Sequence, residues 1–210
     1  MPLLGRYKLA DSDVWVWKIT ETVDELLAMV PAASASLALE KFASRKRCAE
    51  WLAVRAIVAQ QFGKGADIVY DATGKPKLNV DCGCMSISHT KGYAVVAFSR
   101  VSEIGVDVEL MSRDVADVAD RYMSVGLLEK VPLGERNSVA LFHWCAKEAL
   151  YKIVGDLGGN FKDNISVGLF EPGECGTVPV ELVGLDFYGC RRFVADFLVL
   201  DDLLVVLCHR

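Results

Sequence analysis

Two short segments of the 210-residue chain contain side chains that could bind a metal ion together with a phosphate. The first, Ile-Gly-Val-Asp-Val-Glu, would in a β-strand project Asp107 and Glu109 from the same face. The second, Trp-Cys-Ala-Lys-Glu-Ala-Leu-Tyr-Lys, would in a helix place Glu148 and Lys152 one turn apart. Three carboxylates and a lysine that meet at one point would hold a hard divalent cation and a phosphate.

The strand segment alone leaves two interpretations open. Alternating charges on a strand most often form its solvent-exposed face. The intervening residues, however, are Val106 and Val108, and Gly105 precedes them, where it would allow another backbone to approach closely. Asp107 and Glu109 could therefore belong to an exposed face or to a partly buried site.

The helical segment favours the buried site. Around Glu148 the helix is apolar over most of its circumference, through Leu141, Phe142, Trp144, Cys145, Ala146, Ala149, Leu150, Ile153 and Val154. Such a helix is mostly buried, and a carboxylate within it needs compensation. An ordinary ion pair with Lys152, worth roughly a few tenths of a kcal/mol when exposed, explains the spacing but not the apolar surroundings. A metal held by Glu148 and by carboxylates of another strand explains both, and oxygen ligands suit Mg²⁺ that takes further ligands from phosphates.

Composition predicts a cytoplasmic protein with a sizeable core. The chain is 52% hydrophobic and 24% charged, yet no apolar run reaches membrane-spanning length and no secretory-type segment opens it. Its seven scattered cysteines are typical of free thiols in a reducing compartment, and the local pair Cys82 and Cys84 lacks further ligands for a zinc site. The net charge of -5 argues against a general nucleic-acid binder.

The order of the predicted elements describes two α+β halves. The elements expected in the first half are a strand at 14–19, a helix ending near Pro31, a long helix from Ser36 to about Phe62, and strands at 68–70, 85–88 and 93–98. Those expected in the second half are the strand at 104–109, helical segments at 115–123 and 126–131, a helix from about 135 to 154, and strands from 165 onward, including 193–199 and 203–207. We therefore predict two domains, 1–103 and 104–210, without a long linker.

Three further motifs are weak when each is taken alone. Residues 74–76, Gly-Lys-Pro, are typical of a turn with a solvated lysine. Residues 88–89, Ser-His, are typical of a strand end with a structural histidine, and residues 45–47, Arg-Lys-Arg, of an exposed helix face. All three motifs could nevertheless contribute to one function, which is to bind the phosphates and the base of a nucleotide-like ligand.

The motifs Gly-Lys-Pro, Ser-His, Gly-Val-Asp-Val-Glu and Trp-x-x-Lys-Glu-Ala-x-x-Lys, in this order, resemble those of the 4′-phosphopantetheinyl transferase superfamily. The chain length is similar to that of the surfactin-synthetase-activating type, in which two similar halves form a pseudo-dimer within one chain. The resemblance runs from about Arg45 to Lys152, and the two late motifs are the specific ones. It implies an α+β fold of two similar halves packed as an intramolecular pseudo-dimer.

The resemblance implies a holo-[acyl-carrier-protein] synthase that depends on Mg²⁺, or alternatively Mn²⁺. Such an enzyme moves 4′-phosphopantetheine from coenzyme A to a serine of an apo acyl- or peptidyl-carrier protein and releases adenosine 3′,5′-bisphosphate. The carrier could serve fatty-acid, polyketide or nonribosomal peptide synthesis, and we expect the enzyme to be a monomer. Two alternatives stay open: a non-catalytic module that binds coenzyme A or a carrier protein, and a Mg²⁺-dependent hydrolase of a nucleotide pyrophosphate.

The resemblance also assigns the residues of the reaction centre. The implied metal ligands are Asp107, Glu109 and Glu148. Glu148, or a metal-bound water that it orients, is in addition the candidate base for the serine proton. Lys152 is the implied phosphate contact, with Lys147 as a second cation that could balance negative charge.

The coenzyme A contacts that the resemblance implies lie earlier in the chain. They are Lys46, Lys75, Pro76, Ser88 and His89. Lys46 and His89 are expected at the 3′-phosphate, and Lys75 near the adenine and phosphates. The departures from the family pattern are small: Cys145 stands where Ser or Thr is common.

Overall fold

A computed structural model describes residues 3–124, 126–156, 158 and 160–210, and for Leu3 and Leu4 it describes the backbone alone. Helices and strands both contribute substantially, so the predicted α+β class is confirmed. The chain divides into two compact units, Met1–Val101 and Ser102–Arg210, and each contains an antiparallel sheet. No helix in the described ranges is both long and apolar enough to cross a membrane.

The first unit is built around a four-stranded sheet with the order β1-β2-β6-β5. Its elements are β1 (Leu3–Leu9), β2 (Ser12–Lys18), α1 (Val23–Met29), α2 (Ala32–Lys41), α3 (Arg45–Phe62), β3 (Ile68–Tyr70), β4 (Pro76–Leu78), β5 (Cys84–Thr90) and β6 (Tyr93–Ser99). The short strands β3 and β4 pair separately. Helix α3 packs on the sheet and shares a core with it that includes Trp17, Leu52, Ile57 and Phe98.

The single long helix predicted from Ser36 to Phe62 is wrong, because this stretch forms two helices. Helix α2 ends at Lys41 and α3 begins at Arg45. The hydroxyl of Ser44 accepts a hydrogen bond from the backbone N–H of Arg47, which makes Ser44 the N-cap of α3. A serine cap satisfies an N–H group that has no partner within the helix, so it marks a helix start that the apolar pattern alone conceals.

The second unit consists of a five-stranded sheet and one long helix. Its elements are β7 (Ile104–Leu110), α4 (Arg136–Val154), β8 (Ile165–Val167), β9 (Cys175–Leu182), β10 (Arg192–Leu200) and β11 (Leu203–His209). The strand order is β7-β11-β10-β9-β8, and each neighbouring pair is antiparallel. The helical segments predicted between β7 and α4 are only short 3₁₀ turns, at Ala116–Arg121, Leu128–Lys130 and Leu133–Glu135.

Helix α4 contributes many buried apolar side chains to the core of the second unit. Phe142, Leu150 and Ile153 are buried and share one cluster with Phe193 and Val206 of the sheet. Burying an aliphatic or aromatic side chain of this size contributes about 1.5–3 kcal/mol relative to exposure. The prediction that this helix is mostly buried is therefore confirmed, and the polar residues within it are held in place by the surrounding core.

Candidate active site

The backbones of α4 and β7 lie close together at Gly105. A Cβ atom at this position would overlap the carbonyl oxygen of Ala149, so only glycine allows the helix to lie so near the strand. The close approach predicted for Gly105 is thus confirmed. Because side chains two apart on a strand share a face, Asp107 and Glu109 face the helix as Gly105 does.

Lys152 joins the last turn of α4 to the middle of β7. Its Nζ donates to Asp107 Oδ1 at 2.8 Å and to the backbone carbonyl of Val106 at 2.7 Å. Asp107 is buried, with 7% of its surface exposed, and it is thus a strand carboxylate on the covered face. This ion pair therefore connects α4 to β7, whereas an ion pair between residues one turn apart in the helix would have joined Lys152 to Glu148.

Glu109 pairs with Arg113, a residue that the sequence analysis missed. The Nη1 group of Arg113 donates to Glu109 Oε1, and the guanidinium carbon lies 5.7 Å from the centroid of the Trp144 ring. Asn137 at the start of α4 fastens this segment, because its Nδ2 donates to the Arg113 carbonyl at 2.9 Å and its Oδ1 accepts from the Val115 N–H at 2.9 Å. The available signal was the position of a basic residue four places after Glu109.

Glu148 is half-buried, and its electrostatic neighbours come from both elements. Burial raises the pKa of Glu148, the Asp107 carboxylate raises it further, and the Lys152 ammonium partly offsets both. Burial also raises the pKa of Cys145 well above its ordinary value, and the nearby Asp107 and Glu109 add to this effect. Three carboxylates are therefore coupled at one place on the α4–β7 pair, together with two cationic side chains.

The donor chemistry of this cluster fits Mg²⁺, since the three carboxylates offer the hard oxygen ligands that the ion prefers. Burial is the main cause of the raised pKa of Glu148, and the negative charges of Asp107 and Glu109 add to it. A divalent cation would neutralise negative charge of this kind. Within the described ranges, however, no three Asp, Glu, His or Cys side chains are grouped closely enough to hold a metal ion. Asp107 is engaged by Lys152 and Glu109 by Arg113.

Lys147 does not join this carboxylate cluster. Its Nζ donates to the carbonyls of Phe161 and Lys162, both at 3.0 Å, and only 3% of its surface is exposed. Burial lowers the pKa of Lys147 to about 8, with the Asp163 carboxylate opposing that shift. Lys147, expected as a second cation of the reaction centre, thus connects α4 to the segment that follows it.

In the first unit, two of the residues expected at the 3′-phosphate lie beside one carboxylate. Glu50, in α3, has its Oε1 3.8 Å from Lys46 Nζ and its Oε2 3.8 Å from His89 Nδ1. Lys46 is on the same helix one turn earlier, and His89 lies near the end of β5. The preceding residue, Ser88, is buried.

Lys75 lies in a turn that Asp71 organises. Asp71 Oδ1 accepts from the backbone N–H of Lys75 at 3.1 Å, from that of Thr73 at 2.9 Å and from the Thr73 hydroxyl at 2.6 Å. Its backbone N–H donates to the Lys75 carbonyl at 3.0 Å, and Lys77 forms an ion pair with its other carboxylate oxygen. The predicted turn is confirmed, and Pro76 begins β4 directly after it.

Comparison with known proteins agrees with this geometry. A model of the 4′-phosphopantetheinyl transferase superfamily matches residues 103–179, a segment that contains the four residues of the carboxylate and lysine cluster. In this segment the chain is similar to members of the superfamily. It is 28% identical over 142 residues to the 4′-phosphopantetheinyl transferase HetI of Nostoc sp. (strain PCC 7120), and the match covers 61% of this chain and 60% of the relative's length.

Proposed function

We propose that the protein transfers 4′-phosphopantetheine from coenzyme A to a serine of an apo acyl- or peptidyl-carrier protein and releases adenosine 3′,5′-bisphosphate. The observation that carries this proposal is the junction of β7 and α4, where Asp107, Glu109 and Glu148 are coupled beside Lys152. The superfamily match falls on this segment, and the relative from Nostoc is named a 4′-phosphopantetheinyl transferase.

Mg²⁺ would be held by Asp107, Glu109 and Glu148, which supply only oxygen donors. When bound, the ion would neutralise the charge of a pyrophosphate and make its phosphorus more electrophilic. The carboxylates are held by Lys152 and Arg113, and if these ion pairs opened for the ion, both cations would be available to substrate phosphates. This exchange explains how a cluster that is balanced by its own cations can serve a polyanionic substrate.

Glu148 is the proposed acceptor of the proton from the carrier serine. Its raised pKa makes it a stronger base than an exposed glutamate, and proton transfer to a positioned side chain is worth about 10²–10⁴-fold in rate. Lys152 is the proposed contact to the phosphoryl oxygens. A cation held in place by a hydrogen bond to a strand carbonyl loses little freedom when it meets charge that develops during transfer.

The proposed coenzyme A contacts are Lys46, Lys75, Pro76, Ser88 and His89. Two structural features of the first unit support these assignments. Lys46 and His89 share a carboxylate neighbour, and Lys75 lies in a turn fixed by side-chain hydrogen bonds.

The experiment that tests the function is intact-mass analysis of apo-carriers of fatty-acid, polyketide and peptide synthesis, each incubated with the protein, coenzyme A and Mg²⁺. The expected result is the gain of one phosphopantetheine on a carrier, with adenosine 3′,5′-bisphosphate formed in equal amount. Release of the bisphosphate without any carrier would identify a hydrolase instead. Tight binding of coenzyme A without turnover on every carrier would identify a binding module.

A further inference from the structure

Glu50 is a buried carboxylate between two exposed basic side chains. Only 9% of its side chain is exposed, whereas Lys46 and His89 are exposed by 62% and 57%. Neighbouring positions of α3, such as Leu52 and Ala53, belong to the core of the first unit. A carboxylate at such a position must be compensated, and the described ion pairs of Glu50 supply this through two side chains of the surface.

Stability alone gives little reason for this arrangement. At 3.8 Å, both N···O separations are longer than a hydrogen bond, and ion pairs that involve exposed partners contribute only about 0–1 kcal/mol. An apolar residue would fill the same position at lower cost. The carboxylate does, however, bring a lysine of α3 and a histidine of β5 to the same place.

The orientation of the imidazole is the informative detail. The ring nitrogen that faces Glu50 is Nδ1, so the other nitrogen, Nε2, is directed away from this carboxylate. At 3.8 Å this is an electrostatic contact and not a hydrogen bond, but it turns Nδ1 toward the carboxylate and leaves the second ring nitrogen to interact with a ligand.

We infer that Glu50 is a positioning residue for a phosphate monoester, and specifically for the 3′-phosphate of coenzyme A. It orients His89 through Nδ1 and draws Lys46 to the same carboxylate, so that the imidazole and the ammonium are arranged before the ligand arrives. This inference rests on the proposed function for the identity of the ligand. Preorganisation of this kind improves affinity because the donors lose less freedom on binding.

The test is calorimetric titration of the full chain with coenzyme A and with 3′-dephospho-coenzyme A in Mg²⁺. Glu50→Gln keeps the size of the side chain and removes its charge. We expect it to weaken coenzyme A binding about tenfold, the lower end of what outer-shell partners of ligating histidines contribute. Binding of 3′-dephospho-coenzyme A should be unchanged, and kcat should hold while KM for coenzyme A rises. Glu40→Gln, on exposed surface of α2, is the matched control and should alter neither ligand.

A second measurement reads the imidazole directly. The ring ¹⁵N shifts of His89, assigned by their absence in His89→Gln, should change at Nε2 when coenzyme A binds to the wild type and should change less in Glu50→Gln. Equal weakening of both ligands, or no weakening of either, would overturn the role of Glu50. If the wild type transfers phosphopantetheine and prefers coenzyme A, the proposed function survives that result. A wild type that neither transfers nor distinguishes the two ligands would defeat both proposals.

Discussion

Lys152 donates a 2.8 Å hydrogen bond to Asp107, a residue 45 positions earlier in the chain. The bond ties the last turn of α4 to the middle of β7, and a second donation from the same ammonium to the Val106 carbonyl fixes its direction. It places a cation and a buried carboxylate together at the point where the superfamily motifs meet.

Glu148→Gln tests the proposed base. The change keeps the shape of the side chain and removes its charge and its basicity. Carrier modification should therefore fall by a factor of hundreds, because loss of a general base lowers the rate on the order of 10²–10⁴-fold. Coenzyme A should still bind. The measurement is the rate of phosphopantetheine gain by intact mass, beside calorimetry with coenzyme A. Glu171→Gln, an exposed glutamate of the same unit, is the control, and a near wild-type rate for Glu148→Gln would remove this residue from the mechanism.

Removal of the metal tests the carboxylate cluster. EDTA should stop transfer by the wild type, and added Mg²⁺ or Mn²⁺ should restore it. Asp107→Asn should lower activity at least a hundredfold while circular dichroism stays that of a folded protein, since its Oδ1 can still accept from Lys152. Excess Mg²⁺ should recover only part of the loss, because one charged oxygen ligand is gone. Full activity of the wild type in EDTA would refute the metal assignment.

Gly105→Ala tests the close packing of α4 on β7. The new Cβ would overlap the Ala149 carbonyl, and both are backbone-linked atoms that cannot rotate away. We expect a loss of about 1–3 kcal/mol in the free energy of unfolding, measured by urea denaturation, since overpacking of this size forces backbone shifts. Gly134→Ala is the matched control, because nothing lies within 4 Å of its Cβ position. Similar stability of both variants would mean that the helix is free to move off the strand.

Asp71→Ala tests how Lys75 is positioned. Asp71 accepts three hydrogen bonds within the turn, the Thr73 hydroxyl foremost, and these keep the pKa of the carboxyl low. Their loss should loosen the turn and raise KM for coenzyme A about five- to tenfold, with little change in kcat. This expectation follows from the net contribution of one hydrogen bond, which is about 1 kcal/mol. Asp71→Asn retains an acceptor oxygen and should restore most of the affinity. A fall in kcat alone would contradict a role in binding.

His143 should make the protein less stable in acid. Burial, together with the charge of Lys147, lowers the pKa of His143 from an ordinary value of 6.5 to about 4. Between these two values the unfolded chain binds a proton that the folded chain does not, so the free energy of unfolding falls as pH falls. From pH 7.5 to pH 5 the wild type should lose about 2 kcal/mol more than His143→Gln in urea titrations. If the free energy of unfolding fell equally with pH in both proteins, His143 would not be buried in its neutral form.

Local sequence signals were sufficient for most of the individual elements. The alternating segment before Glu109 predicts β7, and the dense apolar surroundings of Glu148 predict a buried α4, because each pattern extends over enough residues to outweigh local exceptions. Signals carried by single residues were less dependable. The helix boundary at Ser44 depends on one hydroxyl, and the three-residue strand β4 is too short to show a period.

The amino-acid sequence by itself determined which residues have side chains suited to catalysis or binding, and their order and spacing. Tertiary structure decided how they are paired. Lys152 and Lys147 are five residues apart on one helix, yet the first reaches Asp107 on β7 and the second reaches carbonyls of the segment after α4. Arg113 at Glu109 and Glu50 beside His89 likewise join residues whose contact depends on how strands and helices pack. Spacing fixes the face from which a side chain projects, but its partner is set by the element that packs against that face.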